Sequence, residues 1–418
     1  SNDTMSQSRC FGSTYAQRPW HLSPEARYHL QGLTDVTGHI AVSCSGGSAA
    51  LLQRRGSRFQ ALPKANSEDE AVLIHYVYGY LGPVQAESVE CEIPCRVTNS
   101  EDPTGHERAD VLVTYPILDP PPRNSRHAIN LAHSMEALSD DGSAYLKYDA
   151  TATSDVKSTV PWSYFNWWSF SELQDRRRQH PGQFSGFSDR LPRAVFVARD
   201  WSGRARNQLM TALTEAGVPI DAISSCHPQG TEYVGWPEDV PMSDKLGALK
   251  KYRVYMALER AMEPGYVTEK IMDGYMAGNV NVYLGASDIA DYVPSGSFID
   301  ANAAITNEGT IVQENLQLLI QKIKAVLYDE KTWAQYLEPL SQPMTDWSGG
   351  SYEKKWSWSQ ERVDGHCRMC RLAFARRAQG GYFNTTTQRV EGVVAPPFGH
   401  DFWKTTWKSP ESEVEVPH

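Results

Sequence analysis

Residues 252–300 read YRVYMALERAMEPGYVTEKIMDGYMAGNVNVYLGASDIADYVPSGSFID, and their rhythm decides the fold: apolar run, turn, helix, glycine, apolar run. Tyr252–Leu258 predicts a buried strand, and Glu263-Pro264-Gly265 a turn. Thr268 is placed to cap a helix running to Met276, with Ala277-Gly278 closing it. Val280–Leu284 predicts a second buried strand. Short apolar strands alternating with helices imply a parallel sheet, with ligands at the carboxyl ends of its strands.

The start of this helix carries Lys270, a cation where the helix dipole is already positive. On residue type alone it reads as a solvated surface lysine. The alternative is that an anion sits between Lys270 and the free backbone N–H groups. Upstream the pattern repeats. Residues 194–198 predict a buried strand and Ser202-Gly203 a turn. A helix is expected over 204–216, with Leu209, Ala212, Leu213 and Ala216 at helical spacing. Arg204 and Arg206 both fall in its first turns. A diphosphate between the two helix starts accounts for all three cations.

The string YVTEK (266–270), preceded by YRVYMALE (252–259) and followed by AGNVNVYLG (277–285), closely resembles the donor-binding signature of the α1,3-fucosyltransferases. The resemblance implies a GT-B fold of α/β class, two Rossmann-like domains facing a cleft. It also implies transfer of L-fucose from GDP-fucose to a GlcNAc hydroxyl with inversion. Matching positions are Arg206, with Arg204 second, and Lys270 for the donor diphosphate. Glu269 matches a residue at the donor's sugar, and Tyr252 and Tyr266 match aromatic donor-site positions. Glu269 also reads simply as a favourable helix N-terminal carboxylate, and the two tyrosines as core. One departure stands out: the family reads Phe-Glu-Asn where this chain has Leu258-Glu259-Arg260. Arg260 there either replaces a hydrogen bond to the donor with a charge contact or blocks the site.

In the first half of the chain, residues 109–115 predict a strand ended by Pro116, after a polar loop over 98–108. Residues 128–132 predict the next strand, followed by His133-Ser134-Met135-Glu136-Ala137. By residue type Glu136 is a solvated strand-end carboxylate; by the resemblance it is the catalytic base. The aromatic stretch 148–170 holds Trp162, Tyr164, Phe165, Trp167, Trp168 and Phe170. Most are expected in the core, with one or two against acceptor sugars. The polar stretch 171–193, with Arg176, Arg177 and Arg178, reads as the interdomain connection.

A net charge of −10 argues against a general nucleic-acid binder. The chain has 7 Cys, with close pairs in CEIPC (91–95) and CRMC (367–370). A four-cysteine zinc site is one reading. The resemblance implies the other: disulfides joining each of Cys91 and Cys95 to one of Cys367 and Cys370. Asn384-Thr385-Thr386 is a glycosylation sequon. The string CRMCRLAFARRA (367–378) resembles the plant-type core fucosyltransferases, whose acceptor is the Asn-linked GlcNAc of N-glycans.

The expected division is 1–88 as an N-terminal extension, 89–180 as the acceptor domain, 181–345 as the GDP-fucose domain and 346–418 as a segment returning to the first domain. No resident cofactor is expected. GDP-fucose is the donor, an N-glycan or glycoprotein the acceptor, and a divalent metal at most a stimulant. The resemblance further implies a Golgi-lumenal, type II enzyme whose N-terminal anchor is missing from this stretch. Two other functions fit: a Lewis-type enzyme acting on antennal GlcNAc, and a silent nucleotide- or glycan-binding protein of the same fold.

Overall fold

The computed structural model describes residues 71–78, 87–137, 143–164, 173, 186–341, 365–377 and 382–391, apart from 90, 92, 156, 200, 201, 228 and 229. The expectations for residues 1–70, the aromatic run 165–170 and Arg176–Arg178 lie outside the described residues.

Two sheets carry the molecule. The first holds β1 (Val72–Tyr76), β2 (Cys95–Asn99), β3 (Val111–Thr114), β4 (Ile129–Ser134) and β5 (Ala150–Thr153) in the order β2-β1-β3-β4-β5. These five are all parallel, and the short strand Glu87–Ser88 adds an antiparallel edge on β2. The second holds β6 (Leu191–Phe196), β7 (Ile220–Ala222), β8 (Tyr252–Leu258), β9 (Val280–Leu284) and β10 (Phe298–Asp300) in the order β7-β6-β8-β9-β10. This sheet is wholly parallel, with Glu232–Tyr233 pairing on β7 as its edge. Both sheets therefore share one doubly wound order, in which the chain reverses direction between the first and third strands. Ligands gather at the carboxyl ends beside such a reversal. Together the two Rossmann-like domains form the GT-B arrangement.

The second sheet explains its own sequence. Strands buried on both faces must be apolar throughout, and β8 and β9 are buried at nearly every position. Helix α1 (Arg204–Glu215) packs Leu209, Met210 and Leu213 into the core. After the short α2 (Lys245–Lys250), helix α3 (Glu269–Ala277) starts at Thr268, whose side chain accepts from Lys270 N, and stops at Gly278. Its Ile271, Met272, Tyr275 and Met276 are buried. Helix α4 (Gln313–Tyr328) lays Leu316, Leu319, Ile320, Ile323 and Val326 on the same core, and α5 (Glu330–Leu337) follows.

One strand of the first sheet departs from the sequence reading. The expected loop from 98 begins inside β2, because Arg96, Thr98 and Asn99 hide its strand pattern. Thr98 and Asn99 are buried all the same, at the end of a strand whose backbone pairs with β1.

Helix α6 (Gly365–Arg377) packs on β1 and brings the late cysteines to the early pair. The structure joins Cys91 to Cys367 and Cys95 to Cys370, with Cα–Cα distances of 5.2 and 5.9 Å. These bonds replace the zinc alternative. Arg377 pairs with the buried Asp110, and Arg368 donates to Pro161 O at 2.5 Å. Among the described residues, no helix is long and apolar enough to cross a membrane.

Candidate active site

The carboxyl ends of both sheets open onto one cleft of about 1110 Å3. From the first domain it is lined by Glu136 and Ala137, just beyond β4, and by Thr153, Ser154, Asp155 and Lys157 after β5. From the second it is lined by Gly203 and Arg204 at the start of α1, by the turn from Glu259 to Gly265 after β8, and by Asp288.

Glu136 stands at the centre. The Tyr164 hydroxyl donates to its Oε1 at 2.8 Å. The Tyr266 hydroxyl donates to its Oε2 at 2.9 Å, and Arg260 Nη2 lies 3.4 Å from the same oxygen. A carboxylate has about four lone-pair positions, so these contacts leave room for one further donor. Burial, then the Glu136 charge, pushes the Tyr164 phenol well above its usual range. Burial, then Glu259, does the same for Tyr266. Both hydroxyls therefore keep their protons and remain donors, holding the carboxylate in a fixed direction. The side chain of Glu136 is 38% exposed, so an incoming hydroxyl can reach it.

The helix start has a different logic from the one its sequence suggests. Lys270 Nζ donates to Glu259 Oε2 at 2.9 Å and to Thr268 Oγ1 at 2.9 Å. Glu259 also accepts from Thr268 N at 2.8 Å. The anion that balances Lys270 is therefore a carboxylate of the chain itself, placed at the helix N-terminus. An ammonium has three N–H donors; two are used on these partners, and Glu269 Oε1 stands 3.7 Å from the same nitrogen. Burial works against the charge on Lys270, but Glu259 and Glu269 outweigh it and raise its pKa well above the lysine range. Burial raises Glu259, with Lys270 opposing. Glu269 is held down to about 2: burial acts against its charge, and Lys270 and Lys245 overcome that. Lys245 in turn donates to Asp273 at 2.6 Å. Two cations and three carboxylates thus form one network behind the cleft.

The two arginines of α1 separate. Arg204 is exposed and lines the cleft. Arg206, the stronger candidate from sequence, is buried; its Nη2 donates to Ser202 O and its guanidinium lies 5.9 Å from the Phe196 ring centroid. The helical geometry decides this, because positions two apart face different sides of a helix.

Tyr252 is not brought to the site. It opens β8, whereas Glu259 follows the end of that strand, about 20 Å away at the strand rise. Its neighbour is Asp221, which together with burial lifts the phenol far above its usual range. Asn384 lies far along the chain in the hairpin Tyr382–Asn384/Arg389–Glu391, where its Nδ2 donates to Glu391 Oε1 at 3.0 Å.

Residue-by-residue reading missed Glu259, Tyr164 and Lys245. Glu259 had a signal: a single acid directly after seven apolar-dominated strand residues, at the end where ligands bind. Tyr164 had none, being one aromatic among many. Arg260 lines the cleft and reaches across to the other domain, with Nη2 donating to Ala137 O at 2.7 Å. Among the described residues, no three His, Cys, Asp or Glu side chains converge as a metal set.

A family model described as glycosyltransferase family 10 (fucosyltransferase) C-term matches residues 191–386. A fucosyltransferase-like protein of Arabidopsis thaliana is 29% identical over 153 residues, which is 36% of this chain and 26% of that protein. GDP-fucose protein O-fucosyltransferase 3 of Gallus gallus is 22% identical over 315 residues, 71% of this chain and 64% of that protein. The chain thus spans about a quarter of the first relative and under two thirds of the second. A crystal structure of an α1,3-fucosyltransferase with GDP-fucose superposes with a TM-score of 0.46 and 16% identity, covering 72% of this chain and 93% of that one.

Proposed function

We propose, from the premise that residues 191–386 are a glycosyltransferase family 10 domain, that this protein transfers L-fucose from GDP-fucose to a GlcNAc hydroxyl, the Asn-linked core GlcNAc of N-glycans first. One observation carries the reading. A directed carboxylate on one domain, Glu136, faces Arg204 on the other across a single cleft, with Lys270 in the charged network behind it.

An inverting displacement needs a base on the acceptor side and charge stabilisation on the leaving side. Glu136 takes the proton of the acceptor hydroxyl through its remaining lone pair. The acceptor oxygen then forms the new bond to the anomeric carbon as the bond to GDP breaks. Arg204 and Lys270, with the backbone N–H groups opening α1, neutralise the departing diphosphate. Glu269, anchored low by two lysines, stays ionised beside the sugar. The acceptor domain is taken as 89–180 and the donor domain as 181–345. Disulfides and the Asn384 sequon support a secretory-pathway, Golgi-lumenal setting.

A second reading is transfer to a hydroxyl of a protein. It is favoured by the length of the similarity to protein O-fucosyltransferase 3, which runs over 71% of this chain. The test is product analysis by mass spectrometry after incubation with GDP-fucose and a panel of N-glycans, antennal oligosaccharides and folded secretory domains. A deoxyhexose on the reducing-end GlcNAc supports the first reading. One on an antennal GlcNAc or on Ser/Thr replaces its acceptor. GDP binding without any product overturns the enzyme reading in favour of a silent binder.

A further inference from the structure

Arg260 belongs to the donor domain by sequence, two residues past the end of β8, yet its guanidinium ends on the acceptor domain. Nη2 donates to Ala137 O at 2.7 Å and lies 3.4 Å from Glu136 Oε2. Both contacts fall on the short turn after β4. Among the described residues that turn has few other ties: Ser134 Oγ donates to Glu136 O, and Glu136 N donates to Ser134 Oγ, both at 3.1 Å. Tyr164 and Tyr266 hold the carboxylate of Glu136 rather than its backbone.

The backbone of Arg260 is itself pinned on the donor side. Gly203, at φ +94°, precedes α1, and a Cβ there would stand 2.9 Å from Arg260 O and 3.2 Å from its Cα. Only glycine permits that approach in that conformation. The residue next to Gly203 is Arg204, which lines the cleft. A few residues later, Gly265 at φ +81° repeats the arrangement: a Cβ there would stand 3.1 Å from Ser154 O of the other domain. The turn 260–266 thus touches the acceptor domain through Arg260, Gly265 and Tyr266.

We propose that Arg260 is a positioning residue for Glu136, setting the base from the donor domain so that it is aligned only when the two domains meet. The proposal rests on the reading of Glu136 as the base. Arginine is well suited to this, because its long stem spans the gap between domains and its planar, permanently charged head serves a carbonyl and a carboxylate together. An asparagine in its place is too short to cross. The chain therefore gains at this position an interdomain contact that aligns acceptor-side chemistry.

The test uses R260A and R260K, with wild type, in three measurements: hydrogen–deuterium exchange of peptides covering 129–137, GDP affinity by calorimetry, and transfer kinetics. The expected result is faster exchange around Ala137 in R260A, unchanged GDP affinity, and a kcat lowered by up to about 10²-fold, the cost of a misplaced reacting group. R260K, which keeps charge and reach but not the planar fork, recovers part of both kcat and protection. It also serves as the working variant if R260A does not fold. Weakened GDP affinity with kcat unchanged makes Arg260 a donor ligand and overturns the proposal. So does unchanged exchange with unchanged kcat. A wild type that transfers no fucose overturns the base reading instead, and the exchange of 129–137 then separately decides whether Arg260 holds this turn.

Discussion

Lys270 Nζ lies 2.9 Å from Glu259 Oε2, with the glutamate side chain fully sealed and the lysine 16% exposed. Removing one member of a buried pair strands the other, at a cost of roughly 3–5 kcal/mol. Glu259→Gln is therefore expected to lower the melting temperature sharply. GDP, bringing negative charge to the same ammonium, should recover part of the loss. A thermal melt with and without GDP checks both; a variant as stable as wild type would show that the pair is idle.

Glu136→Gln keeps the shape of the base and removes its capacity to take a proton. Turnover is expected to fall by about 10²–10⁴-fold, while GDP affinity stays at the wild-type value and the melting temperature falls slightly, because the amide nitrogen cannot accept from the donors around it. Single-turnover kinetics and calorimetry on the same preparation separate these effects.

Arg204 and Arg206 make opposite predictions although they are neighbours on one helix. Arg204→Ala should raise the donor KM and lower turnover, by up to about 10²–10³ if the contact strengthens in the transition state, with little change in melting temperature. Arg206→Ala removes a buried head from Phe196 and Ser202 O and should chiefly destabilise the protein. Donor KM and melting curves for the pair decide which arginine serves the diphosphate.

The architecture of the second sheet was legible because burial on both faces leaves continuous apolar runs, as in Tyr252–Leu258 and Val280–Leu284, and because Thr268 and Gly278 punctuate the helix between them. The first sheet was less so, since β2 ends in polar residues that are buried only through pairing and turn contacts. Within the site, Lys270 could be singled out by its place at a helix start, and Glu136 only by the family resemblance. Their partners could not: Glu259 is 11 residues from Lys270, and Tyr266 is 130 residues from Glu136. Likewise, that Arg206 turns inward while Arg204 turns outward depends on where Phe196 sits beneath the helix.

Glu269 links stability to pH. Its folded pKa, about 2, lies below the ordinary 4.5. Its contribution is thus present above pH 4.5 and lost as pH falls toward 2. Urea midpoints of wild type and Glu269→Gln should differ at neutral pH and converge across that window. A constant gap would mean that Glu269 does not titrate with folding.

Reduction should act on the first sheet and α6, which two disulfides join, and on the segment after β7, where Cys226 is disulfide-bonded. Losing native disulfides typically costs about 2–5 kcal/mol. Under reductant, exchange protection is expected to drop in β1, β2 and α6 and to persist in β8 and β9. A uniform loss across both sheets would mean that the two domains unfold as one.

The pairing of Cys91 with Cys367 and Cys95 with Cys370 also fixes an order of assembly. Every strand of the donor sheet lies inside the covalent ring that these bonds close. A nascent chain leaving the ribosome completes that inner unit while the first sheet still awaits α6. The usual rule that the N-terminal unit matures first is reversed: the middle of the chain is finished before its beginning. Once the ring is shut, a protease cut anywhere between the two cysteine pairs leaves a single molecule, which cannot separate into fragments while either bond stands.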